Sequence, residues 1–137
     1  MRLWAALLLP TAPLSPPPPS TTPLYACLQP LVGGPRFLPV HVVLRLDGTM
    51  YDFLPERPTA ADTTLSLLSG RSVPGDIRCR TTAAPLDARW RLVGHTRKSS
   101  DDIGAFAQSQ PSALALVRND CWTFASALAS YALDDAP

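Results

Sequence analysis

Cys121 is the residue whose position most favours covalent chemistry. It follows Asn119-Asp120, a pair typical of helix caps, and it precedes apolar residues spaced as in a helix. The first turn of a helix carries unpaired amides and the positive end of the helix dipole, and both favour the thiolate, the nucleophilic form of cysteine. The same amides can stabilise an oxyanion, so Asn119, Asp120 and Trp122 form the expected helix cap and oxyanion site. A cysteine in an apolar helix is more often a small buried hydrophobe, and position alone does not establish that Cys121 is reactive.

A cysteine nucleophile needs a base, and the chain has two histidines that could supply it. His41 opens a segment rich in β-branched residues, and the segment expected to pair with it carries Asp52, whose carboxylate can orient an imidazole. His95 lies in a polar stretch where a solvated surface histidine is the ordinary interpretation, so it is the second candidate. The sequence therefore predicts Cys121 as nucleophile, His41 as base and Asp52 as the group that holds the base.

A β-hairpin is expected to bring His41 and Asp52 together. Residues 40–46 and 49–54 are separated by Asp47-Gly48, a two-residue hairpin turn. Counting outward from this turn puts His41 and Asp52 on one face as diagonal neighbours. The opposite face is apolar and consists of Val42, Leu44, Leu46, Tyr51 and Phe53.

Short helices and strands are expected to follow the hairpin. Thr59 and Asp62 predict a capping box for a helix that presents an apolar face and is closed by Gly70. The apolar face of that helix consists of Ala61, Leu65 and Leu68. Residues 73–75 are expected to form a turn, and strands are expected at 76–81 and 90–95.

The last third of the sequence predicts two further helices around one strand. Ser99 and the acids after it suit the start of a helix that Pro111 ends. Residues 113–117 form an apolar run of strand length, and Cys121 begins the last helix. The order ββαββαβα predicts an α+β fold in which helices pack on a small antiparallel sheet.

The spacing of His41 and the cysteine segment resembles that of a known superfamily. A histidine opens an early hairpin, and a helix start with the sequence Asn119-Asp120-Cys121-Trp122-Thr123-Phe124-Ala125 follows some 80 residues later. This is similar to the circularly permuted papain-like thiol hydrolases, which include the PPPDE peptidases (desumoylating isopeptidases), the lecithin:retinol acyltransferase-like proteins and the permuted NlpC/P60 proteins. Their motif pairs Asn-Cys with a phenylalanine three residues after the cysteine, and Phe124 matches it.

The resemblance implies a permuted papain-like, NlpC/P60-type arrangement from His41 onward. Cys121 then takes the place of the nucleophile and His41 that of the base. Asp52 lies where acyltransferase-like members keep a second polar group. The chain departs from the motif because Asp120, not Asn, directly precedes the cysteine. An acid beside the thiol disfavours the thiolate unless its side chain turns away to cap the helix.

Two functional interpretations remain open at this stage. The first is a cysteine hydrolase or acyltransferase that acts on a peptide, isopeptide or lipid acyl substrate. The second is a non-catalytic binding module of the same fold, with Cys121 buried. A metal site built from His41, Asp52 and Cys121 has no spaced ligand pair to support it, so neither a metal nor a cofactor is expected.

Composition bounds the size and the partners of the protein. A length of 137 residues suits one domain. The net charge of +1 and the scattered arginines do not form a basic stripe, so nucleic acid is not an expected partner. The three cysteines lie far apart, which predicts free thiols.

The first 39 residues differ from the rest and contain ten of the 16 prolines. They also lack acids and begin with seven apolar residues, too few to span a bilayer. We expect residues 1–39 to be a targeting or disordered leader and residues 40–137 to be the domain. The composition favours a plastid or mitochondrial address, with a secreted or cytoplasmic protein as the alternative.

Overall fold

Six strands form one antiparallel sheet in the computed structural model, which describes residues 20–30 and 39–134. The strands are β1 (Thr22–Pro30), β2 (Pro39–Leu46), β3 (Thr49–Pro55), β4 (Val73–Thr81), β5 (Arg91–Thr96) and β6 (Ala113–Leu114), in the sheet order β5-β1-β2-β3-β4-β6. The helices are α1 (Ala61–Leu68), α2 (Ser100–Ser109) and α3 (Cys121–Leu133). The expected α+β fold with an antiparallel sheet is confirmed.

Strand β1 corrects the expected boundary of the leader. It pairs with β2 on one side and β5 on the other, so residues 22–30 belong to the folded domain. Its prolines are tolerated because Pro23 and Pro30 lie at its two ends, and Leu24 and Cys27 are buried. Residues 1–19 and 31–38 lie outside the described residues, so the expected leader function and address stay predictions.

The expected hairpin is confirmed, with Leu44 opposite Tyr51 and Leu46 opposite Thr49. Asp47, the first turn residue, has a φ of 55°, which aspartate tolerates better than most residues. The expected apolar face is buried in the core together with side chains of α2 and α3. Ladder pairing between β2 and β3 begins at Leu44, so the residues of β2 before Leu44 are not paired with β3.

Two local expectations are wrong. Helix α1 begins after Ala60 without a side-chain cap, and its expected apolar face is exposed, with Leu65 68% and Leu68 74% accessible. Thr63 and Leu67 turn inward instead. Residues 73–75 are not a turn but the start of β4, because Pro74 and Val73 pair with β6.

Helix α2 begins as expected, with the Ser99 side chain accepting a hydrogen bond from the Asp102 amide. The expected strand at 113–117 is shorter and comprises only Ala113 and Leu114 within the described residues. The residues after Leu114 form a turn that leads into α3. None of the helices in residues 20–30 and 39–134 is long and apolar enough to cross a membrane.

Gly75 leaves room for the Phe53 ring, which packs 5.8 Å from the Phe124 ring between their centroids. A Cβ at position 75 would collide with the Phe53 ring and approach the Ser112 carbonyl oxygen to 2.6 Å. We expect Gly75→Ala to lower the free energy of unfolding by about 1–3 kcal/mol in denaturant titrations. In contrast, Gly104→Ala meets nothing within 4 Å in α2 and is expected to stabilise by about 0.5–1 kcal/mol. Equal effects of the two substitutions would contradict this packing.

Candidate active site

Helix α3 starts at Cys121 because Asp120 caps it. The Asp120 carboxylate accepts hydrogen bonds from the amides of Trp122 at 3.1 Å and Thr123 at 3.0 Å. The Thr123 hydroxyl accepts from the Asp120 amide at 2.7 Å, which completes a capping box. The carboxylate of Asp120, which is next to Cys121 in sequence, is therefore hydrogen-bonded to helix amides.

Phe124, the phenylalanine of the motif, anchors this helix start. Its buried ring packs against Phe53 of β3. Ala125, Leu128 and Ala132 continue the buried stripe, as the sequence predicts. Cys121 itself is half-buried at the first position of the helix.

His41 and Asp52 meet as the hairpin predicts. The His41 Nε2 and Asp52 Oδ2 atoms are 3.0 Å apart, and both side chains are almost fully buried, with residue exposures of 2% and 1%. Burial is the strongest single influence and raises the pKa of Asp52, but the hydrogen bonds to His41 and Arg78 and the charges of Arg78 and Arg80 together outweigh it and lower that pKa. An ionised carboxylate only accepts hydrogen bonds, so Nε2 carries the proton that is donated to Asp52.

This assignment fixes the role of the other ring nitrogen. With Nε2 protonated in neutral His41, Nδ1 has the free lone pair and is the basic atom. Nδ1 is buried and has no hydrogen-bond partner in the part of the chain that the structure describes. A buried polar atom without a partner is uncommon, and one explanation is a catalytic role.

The ring of His41 and the thiol of Cys121 belong to one groove. Both residues line a cavity of about 340 Å³ between the start of β2 and the start of α3. Burial, the strongest influence, lowers the pKa of His41. The hydrogen bond with Asp52, the side chain of Cys121 and the charges of both together raise that pKa above its ordinary value of 6.5. The structure therefore places the three residues together, in the order Cys121, His41, Asp52.

Two arginines also bind Asp52, and both donate to Oδ2, the oxygen that His41 approaches. Arg78 of β4 donates from Nε to Oδ1 at 2.8 Å and from a terminal nitrogen to Oδ2. Arg80 donates to Oδ2 at 3.2 Å. Sequence reasoning missed both arginines, because it treated residues 76–81 as an exposed strand and did not pair that strand with β3. The β3–β4 register, which places Arg78 opposite Asp52, would have identified them.

The groove beside Cys121 is apolar. Besides His41, Asp120 and Cys121, it is lined by Phe53, Leu54, Pro55, Leu67, Leu114, Leu116, Val117 and Trp122. Among the described residues, no lysine or arginine belongs to this lining. Trp122 separates it from a second cavity of about 360 Å³ whose lining includes Arg89 and Arg91.

The amides expected to form an oxyanion site are mostly occupied. The Asn119 amide donates to the Ala115 carbonyl at 2.9 Å, the Asp120 amide to Thr123, and the Trp122 amide to Asp120. The Asn119 side chain donates to the carbonyls of Pro111 and Ala113. Asn119, Asp120 and Trp122 thus build the helix start, and an oxyanion role would require their amides to exchange partners.

The remaining candidates lie apart from this groove. His95 is exposed on β5, opposite Pro23 of β1. Cys79 is exposed on β4, and Cys27 is buried in β1. Within residues 20–30 and 39–134, no group of three or more His, Cys, Asp or Glu side chains could hold a metal ion.

The His41–Asp52 pair predicts a pH-dependent stability. The pKa of His41 is raised above 6.5, so its contribution is fully present below pH 6.5 and is lost as the pH rises through the folded-state pKa. The pKa of Asp52 is lowered below 3.8, so its contribution is present above pH 3.8 and is lost as the pH falls through the folded-state pKa. We expect the free energy of unfolding to be greatest between these values and to decrease above pH 6.5.

Denaturant titrations between about pH 5 and about pH 9 measure this dependence. His41→Gln should flatten the decrease on the alkaline side, whereas the control His95→Gln should retain it. A wild-type stability that stays constant from about pH 6 upward would contradict the raised pKa of His41.

Comparisons with protein-family models, with curated proteins and with solved structures found no match to this chain.

Proposed function

We propose that this chain is a cysteine hydrolase or acyltransferase of the permuted papain-like type. The observation that carries the proposal is the buried His41, which donates from Nε2 to Asp52 and keeps a basic Nδ1 in the groove that also contains Cys121. A nucleophile, a base and a group that orients the base are the parts that covalent acyl transfer requires. The chain order, with the histidine on an early strand and the cysteine at a later helix start, supports the permuted arrangement.

The proposed reaction has two halves. In the first, the Cys121 sulfur attacks an ester or amide carbonyl after passing its proton to His41 Nδ1, and a tetrahedral intermediate forms. His41 then returns that proton to the leaving alcohol or amine as the carbonyl–leaving group bond breaks. In the second half, His41 takes a proton from water or another acceptor, which attacks the thioester. The carbon–sulfur bond then breaks, the acid or the new ester is released, and His41 returns the proton to the Cys121 sulfur. Asp52 stays ionised and stabilises the imidazolium throughout.

Acyl-enzyme formation tests this function directly. The chain is mixed with p-nitrophenyl acetate, and the acetylated residue is located by mass spectrometry while nitrophenolate release is followed. We expect acetylation of Cys121 and loss of the burst in Cys121→Ser, with Cys79→Ser as the matched control that keeps it. Acetylation spread over all accessible thiols, with no burst, would instead favour the non-catalytic binding module.

A further inference from the structure

Val117 stands in a backbone conformation that a β-branched side chain does not favour. Its φ is 71°, in the left-handed region where a β-branched residue is a rare outlier. The side chain is 85% exposed, so no core packing offsets the strain. Glycine or asparagine would suit the backbone better, and a polar residue would suit the exposure better. The stability of the chain therefore does not explain a valine at this position.

The surrounding turn holds Val117 in place. The Val117 amide donates to Asp120 Oδ2 at 2.9 Å, and Ala115 and Asn119 exchange two backbone hydrogen bonds across the turn at 2.9 and 3.0 Å. Arg118 also donates to the carbonyl of Gly70, just after α1, at 2.7 Å. The same carboxylate that caps the helix of Cys121 thus fixes Val117, so the two residues are positioned by one group.

Val117 forms the rim of the groove at Cys121. It lies there beside Leu116 and Trp122, which are 45% and 50% exposed. Exposed apolar side chains gathered around a concave site mark a binding surface more often than a structural one. A strained residue that sits at such a rim is itself an indication of function.

The chemistry of the lining limits what can bind. Among the described residues no lysine or arginine lines the groove, so a carboxylate or phosphate would lose its hydration without gaining a permanently charged partner. The Asp120 carboxylate, an acidic group of this lining, already accepts hydrogen bonds from three backbone amides. The second cavity, beyond Trp122, is lined by Arg89 and Arg91, so the two cavities differ in the basic side chains that the described residues supply.

From these observations we infer that the groove receives the uncharged, apolar acyl group of an ester substrate, and that Val117 is a specificity-determining residue that contacts this group. The inference rests on the proposed function. The acyl chain lies along Val117 and Leu116 while its carbonyl is at the Cys121 sulfur, and the leaving group points away from the apolar lining. Each added methylene then gains contact with apolar side chains, which favours longer acyl groups.

A series of p-nitrophenyl esters from acetate to octanoate tests the inference. In the wild type, kcat/KM is expected to rise about tenfold or more from acetate to octanoate. Val117→Gly and Val117→Asn are expected to reduce this octanoate-to-acetate ratio about three- to tenfold, because octanoate loses more apolar contact than acetate does. Both variants should melt at the same temperature as the wild type or a few degrees higher, because the left-handed strain is relieved. Leu65→Gln, which removes an exposed apolar side chain outside the groove, is the matched control and should leave the ratio unaltered.

The outcomes separate this inference from the proposed function. A ratio that does not depend on chain length, or that both Val117 variants leave unaltered, overturns the acyl groove even when Cys121 is acetylated. A preference for esters with charged acyl groups also overturns it. Failure of wild-type Cys121 to react with any ester of the series overturns the proposed function instead.

Discussion

His41→Gln is expected to slow acetylation of Cys121 by p-nitrophenyl acetate about 10²- to 10⁴-fold, because the thiol loses its general base. Glutamine keeps a polar side chain of similar reach that can still bond to Asp52, so the fold should survive the substitution. The measurement is the rate of the nitrophenolate burst at neutral pH, together with a melting curve for each variant.

The second histidine provides the control. His95 is exposed on β5 and does not line the groove, so His95→Gln should react within about twofold of the wild type. Equal losses in both variants would point to a general effect of histidine replacement. An unchanged burst in His41→Gln would exclude His41 as the base.

Asp52→Ala is expected to lower the free energy of unfolding by about 3–5 kcal/mol, since it leaves buried His41 and the half-buried Arg78 without their charged partner. The carboxylate is 1% exposed and joins four hydrogen bonds from three residues. The hydrogen bond that His41 donates to Asp52 also raises the pKa of His41, so the variant should shift that pKa downward. Denaturant titration measures the first effect, and NMR titration of the His41 ring measures the second.

An exposed ion pair is the matched control for this prediction. Asp62 and Arg57 are 3.0 Å apart, but their side chains are 67% and 71% exposed. Asp62→Ala should therefore cost no more than about 1 kcal/mol. If Asp52→Ala lowered the free energy of unfolding as little as Asp62→Ala does, Asp52 would not be the buried group that holds His41 in place.

The hairpin and the last helix could be predicted from sequence because their signals are local. Asp47-Gly48 sets the register of its two strands, and that register places Asp52 within reach of His41. Asp120 lies directly before a helical apolar stripe, and it caps the helix as predicted. These two local patterns suffice to bring together the base, its partner and the start of the helix that carries the thiol.

The rest depends on contacts between segments distant in sequence. Strand β1 was hidden by its prolines, which act as breakers in isolation but are harmless at the ends of a strand. Arg78 and Arg80 became relevant only once β4 paired with β3 in a specific register. The groove is lined by Phe53, Leu67 and Val117 from three different parts of the chain, so no local sequence pattern predicts it.

The measurement that tests the central claim most directly is the rate at which iodoacetamide labels each cysteine, read by mass spectrometry in the wild type and in His41→Gln. Exposure alone ranks exposed Cys79 first, half-buried Cys121 second and buried Cys27 last. If His41 activates Cys121, Cys121 reacts first in the wild type, and its rate falls below that of Cys79 when His41 is replaced. Labelling in the order of exposure in both proteins would contradict a Cys121–His41 active site.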